Sequence, residues 1–166
     1  MPPAAPHRDG VLIPVHGRFY RAVDPDFIDA AIAGSRAAGR YSTADQPTLY
    51  LSASAQGVEA AMAAHSHARA ARLRVVGVEV ISDRIFDLRD EKACRLAGID
   101  LRDATAPWQE LVAQGHRPPS WDVRDRVTAM GAVGLIDPSR KAPGLWHLVL
   151  FAWNSDGPCA QVRLLD

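Results

Sequence analysis

The sequence predicts an α+β fold, a mostly antiparallel sheet or split sandwich with flanking helices. Strand-like stretches crowd both ends of the chain and helix-like stretches fill its middle. No regular strand–helix–strand alternation and no internal repeat runs through it. The 166 residues suit one domain with a sizeable core, and an apolar content of 48% argues against disorder.

Residues 1–16 are expected to form an N-terminal extension, partly frayed at its Pro- and Ala-rich start, and residues 17–166 a single domain. VLIPVHGRFYRAV, residues 11–23, reads as a strand pair or a bent strand, with Pro14 making its first half an edge. Phe19 and Arg21 alternate there with Tyr20 and Ala22, so the two sets face opposite sides. Asp24 as a cap, Pro25 in the first turn and Gly34 as a stop predict a short helix. TLYLSAS, residues 48–54, reads as a strand leading into an alanine-rich helix from about residue 55 to 72. Residues 73–82 and 84–88 read as two strands. RDEKACRLAG reads as a short helix stopped by Gly98, and PWQELVAQG as another. Ser120 is placed to cap a third, SWDVRDRVTAMG. GLIDPSR, LWHLVLFAWN and CAQVRLL complete the chain as strands with a loop between the first two.

Charge and motifs narrow the function. Lys+Arg and Asp+Glu balance at 19 each, which disfavours unspecific nucleic-acid binding and an electrostatic membrane anchor. The arginines of residues 69–74 suit a helix end, where cations complement the dipole. Cys94 and Cys159 lie far apart with no CxxC, the pattern of small buried hydrophobes in a reducing compartment. The first residues lack the apolar stretch of a secretory leader, and no apolar run approaches the ~20 residues of a membrane span. The expected location is the cytoplasm. Phosphate-loop, dinucleotide-fingerprint, zinc-protease and nucleophile-elbow motifs are absent. His65 and His67 point about 200° apart on a helix, so they do not readily ligate one ion, and no metal is expected.

The informative stretch is GRYSTADQPTLYLSAS, residues 39–54. A Gly-led loop carries Arg40 and Tyr41, and the following strand carries Tyr50, Ser52 and Ser54 before the helix. A planar guanidinium binds phosphate oxygens bidentately, and tyrosines offer flat faces and hydroxyls to a nucleotide. Serines at a strand end before a helix favour anion or ribose contacts, or simply cap the helix.

The ordered series FYRAV, GRYS, TLYLSAS with its helix, GLIDPSR and LVLFAWN resembles the RES-domain family of bacterial toxins, from about Gly17 to the C-terminus. That resemblance implies an ADP-ribosyltransferase-like fold with a cleft for NAD+ as substrate. It implies either transfer of ADP-ribose to a protein or destruction of NAD+ by hydrolysis or phosphorolysis. It also implies an Xre-like antitoxin partner that covers the cleft and makes any contact with DNA. By the same resemblance Arg21 and Arg40 would hold the pyrophosphate, Tyr41 and Tyr50 would stack and bond the nucleotide, and Ser139 would contact nicotinamide or ribose. The family's glutamate falls near Ala61 in register, where this chain has none. Glu59, two residues early, is the candidate catalytic acid, and His65, one turn beyond Ala61, is the alternative polar group. Arg140 departs from the small residue common after the serine, and Trp146 stands near a position often held by Asn. A displaced acid weakens stabilisation of a ribosyl cation, which favours protein ADP-ribosylation over rapid NAD+ destruction. A module that holds a nucleotide or partner without turnover is the remaining alternative.

Overall fold

The computed structural model describes residues 10–63, 72–140 and 142–165. His65, His67 and the first half of the arginine run, residues 69–71, lie outside them, as do residues 1–9.

Six strands make one sheet in the order β1-β2-β5-β4-β3-β6: β1 (Leu12–Val23), β2 (Leu49–Ser52), β3 (Arg74–Asp87), β4 (Gly134–Pro138), β5 (Trp146–Leu150) and β6 (Gln161–Leu164). A further pairing of β1 with β3 closes the first five into a ring. The expected split sandwich is thus a barrel-like closed sheet, with β6 added along the middle of β3. Closure removes the edges that an open sheet would leave unpaired. The sheet is mostly antiparallel, as expected, but the β3–β4 pairing is parallel, and its crossover carries the middle helices.

Two sequence features take forms the linear reading missed. The β1–β3 ladder runs from Leu12↔Phe86 to Val23↔Arg74, so the strand begins within the stretch assigned to the extension. Pro14 does not sit on an edge. It faces an irregularity at Asp83 and Arg84, where β3 carries one extra residue. This bulge accommodates a residue without a backbone N–H. The same bulge is the break that divides 73–88 into two strands in sequence, whereas β3 is continuous.

Helix α1 (Ala55–Ala63) follows β2, and α2 (Glu91–Ala97), α3 (Leu101–Thr105), α4 (Gln109–Ala113) and α5 (Pro119–Ala129) fill the crossover. Gly98 ends α2 at φ 66°, as the sequence indicates, and Asp90 caps its start by accepting from Lys92 and Ala93 N–H. Asp100 caps α3, a single turn too short for apolar periodicity to reveal. Residues Pro25–Ala30 form a 3-10 helix kinked at Phe27 instead of the expected α-helix. Ser120 is not a cap. Helix α5 starts at Pro119, and the serine hydroxyl serves a different purpose, described below.

Strands β4 and β5 are apolar on both faces because both are covered. Ile136, Leu148 and Leu150 pack inside the ring with Phe19, Leu49, Leu51, Val78, Val80 and Ile85. Leu135 and Val149 turn the other way, to Phe86, Ala104, Val123 and Val127 under α3 and α5. Each fully buried Leu or Ile contributes about 2 kcal/mol of transfer free energy. Among the described residues no helix is long and apolar enough to cross a membrane.

Candidate functional site

A cleft of about 610 Å³ opens where β1, β2, β4 and β5 meet the loop before β2 and helix α1. That volume suits a nucleotide-sized ligand. Period-two alternation explains much of its wall: Tyr50 and Ser52 of β2 and His147 and Val149 of β5 face it. Leu49, Leu148 and Leu150 face the ring interior.

Its charged groups are mostly cationic. Arg21, Arg40 and Arg140 line the cleft against one carboxylate, Asp137, among the described residues. Arg40 donates to the carbonyls of Ala104 (2.9 Å) and Ala106 (2.8 Å) at the end of α3. Arg140 donates to the same Ala104 oxygen at 2.7 Å. Two guanidiniums therefore converge on one carbonyl, at a helix C-terminus that favours positive charge. Burial, and then the neighbouring Arg140, lower the proton affinity of Arg40. An arriving anion relieves both effects.

Asp137, 4% exposed, accepts from the Tyr41 hydroxyl at 2.8 Å and pairs with Arg140 at 3.2 Å. Burial, followed by Asp137, pushes the Tyr41 phenol well up, so it stays a donor. Tyr41 is 0% exposed, so its ring is a wall of the core and not a free stacking face. Tyr50 is half-buried. Its oxygen accepts from Tyr41 N–H (3.1 Å) and shares a bond with Ser42 Oγ (2.8 Å). A Cβ on Gly39 would stand 2.5 Å from that oxygen, so any larger residue there would have to push the Tyr50 hydroxyl aside. Arg21 donates to the Ala31 carbonyl from the cleft wall.

His147 Nδ1 lies 3.1 Å from Ser52 Oγ. Burial holds its imidazole below the ordinary value, so it is neutral near pH 7. Trp108 reaches the cleft from the loop after α3.

The structure thus gathers Arg21, Arg40, Tyr41, Tyr50 and Ser52 around one cleft. It does not gather the rest. Glu59 is exposed on α1, where Val58 and Met62 are the residues that face the cleft. Ser54 Oγ accepts from Gly57 N–H, the helix-capping alternative. Ser139 Oγ accepts from Ala142 N–H and turns its own loop. His65 falls outside the described residues. Asp137, Arg140, Trp108 and His147 were not assigned to the site from sequence. An acid inside the apolar run GLIDP, and a histidine two residues from Val149, were the available signals.

The RES domain family model matches residues 18–163, and the chain belongs to that family. No curated protein matches it. In fold it is similar to a chain of the M. tuberculosis MbcT–MbcA toxin–antitoxin complex, with a TM-score of 0.56 at 19% identity. The likeness covers 95% of this chain and 90% of that one.

Proposed function

We infer that the protein is the toxin of a bacterial toxin–antitoxin pair and that it breaks the nicotinamide–ribose bond of NAD+. The observation that carries this reading is the pair Arg40 and Arg140, converging on one carbonyl oxygen in a cleft of nucleotide size. Two forks so arranged match a pyrophosphate, whose oxygens replace the carbonyl as acceptors. Arg21 adds a third cation on the facing strand. Family membership and the likeness to a chain of a toxin–antitoxin complex support the same reading.

The chemistry asks little of an acid. Nicotinamide leaves as a neutral base while positive charge grows on the ribose, as in glycoside cleavage. The protein must bind the phosphates, hold the ribose and orient the group that captures C1′. Tyr50 and Ser52 are placed to bond ribose or nicotinamide oxygens. ADP-ribose then passes to a side chain of a cellular protein, the reaction we favour. An Xre-like antitoxin covers the cleft in the producing cell, and the bacterial cytoplasm is where both NAD+ and target are found.

A second reading has its own observation. His147 is neutral, half-buried and bonded to Ser52, so it can accept a proton from water at the ribosyl cation. That would favour hydrolysis to free ADP-ribose. NAD+ labelled on the adenine side, added with purified protein to a bacterial lysate, separates the two. Label on a discrete protein band, lost with Arg40→Ala, supports transfer. Label only in ADP-ribose or its phosphate supports degradation. Binding of NAD+ without release of nicotinamide leaves a non-catalytic module.

A further inference from the structure

Helix α5 contributes no residue to the cleft wall among the described residues, yet it fastens the loop that does. Ser120 Oγ donates to the carbonyl of Arg40. Trp121 Nε1 donates to the carbonyl of Gly39 at 2.9 Å, and Arg124 to that of Tyr41 at 2.9 Å. Three consecutive loop carbonyls are thus held by side chains from about one turn of α5. The loop also closes on itself, through Gly39 N–H to Ser42 O at 2.9 Å.

Arg124 is the unusual member. It is 8% exposed, and no carboxylate pairs with it among the described residues. Its other partners are Thr48 Oγ1 at 2.8 Å and the face of Phe151 at 4.5 Å. A buried cation without a counter-charge costs stability, and an apolar residue would fill this space at lower cost. The far end of Arg40 is held as well, because its guanidinium rests on Ala104 and Ala106 at the end of α3. Ala104 packs with Val123 and Val127 of α5 in the same cluster. Backbone and guanidinium of Arg40 are therefore anchored to one rigid unit.

We propose that Ser120, Trp121 and Arg124 are positioning residues, and that α5 sets the aim of Arg40 toward the pyrophosphate of NAD+. The proposal rests on the NAD+ reading above. It makes α5 a determinant of substrate affinity although it touches no substrate.

The test is a double-mutant cycle between α5 and Arg40, read on nicotinamide release and on Tm. Trp121→Phe keeps an aromatic face where Arg117 now lies 5.6 Å from the Trp121 ring and removes the N–H with the smaller ring of the indole, and Ser120→Ala deletes the hydroxyl. Together they are expected to raise the KM for NAD+ about tenfold, with kcat changed less than about twofold. In an Arg40→Ala background the same pair should change KM less than about twofold, because nothing remains to be aimed. An unchanged KM, or an equal rise in both backgrounds, overturns the proposal. If the pair lowers Tm severely, Trp121→Phe alone carries the test with an expected rise of about threefold. A wild-type protein that releases no nicotinamide sinks the functional reading instead. The cycle is then read on the Kd for ADP-ribose by calorimetry. Binding with additive effects overturns the platform alone, and no binding overturns both.

Discussion

At the residue scale, most of the cleft follows from where short-range chemistry and burial put each polar group. Arg40 sits on a carbonyl shared with Arg140, so its planar fork matters more than its charge. Arg40→Lys should therefore lose nearly as much activity as Arg40→Ala, about a hundredfold in kcat/KM, measured as nicotinamide release. Glu59 gives the converse prediction. The sequence singles it out because it is the acid nearest the family's register, but helix geometry turns Val58 and Met62 to the cleft and leaves Glu59 in solvent. Glu59→Gln should leave nicotinamide release within about twofold of wild type, a small effect of the kind exposed sites show. Linear register could not settle this, since two positions on a helix are about 200° apart and the start of α1 had to be known first. His147 yields a pH dependence. Its folded-state affinity for a proton is depressed by burial, so the unfolded chain protonates first as pH falls. Its contribution to stability is then complete above about 6.5 and declines below that value. Tm should drop between pH 7 and 5.5, and His147→Asn should flatten that part of the curve.

At the scale of elements, strand pairing decides what the local signals could not. The bulge opposite Pro14 splits the apparent pattern of β3 into two, although pairing along β1 makes it one strand. Asp24 and Pro25 do begin a helical turn, but the segment winds as a kinked 3-10 helix against the sheet. The strands β2, β4 and β5 were legible because apolar runs bounded by Pro and Gly leave little choice. The parallel pairing of β3 with β4 was not, because it depends on a crossover of four helices. Gly134 shows how tight that junction is: a Cβ there would lie 2.5 Å from the Val149 carbonyl oxygen. Gly134→Ala should cost about 2 kcal/mol or more in urea unfolding. Gly39→Ala should act differently. Its Cβ would displace the Tyr50 hydroxyl and weaken NAD+ binding more than it weakens the fold.

At the scale of the whole molecule, the closed ring supplies a wall and the crossover supplies the anchors for Arg40 and Arg140. The α+β class and the order of the pieces could be read from the chain, whereas closure could not, because it depends on one long-range pairing, β1 with β3. The formal charge of the chain is zero, yet among the described residues the cleft gathers three arginines against one aspartate, so balance overall conceals a locally cationic cleft. The measurement that tests this account most directly is nicotinamide release from NAD+ by purified protein, beside Arg40→Ala. The account predicts release by the wild type and about a hundredfold slower release by the variant at equal Tm. Equal release from both proteins, or none from a folded wild type, would contradict it.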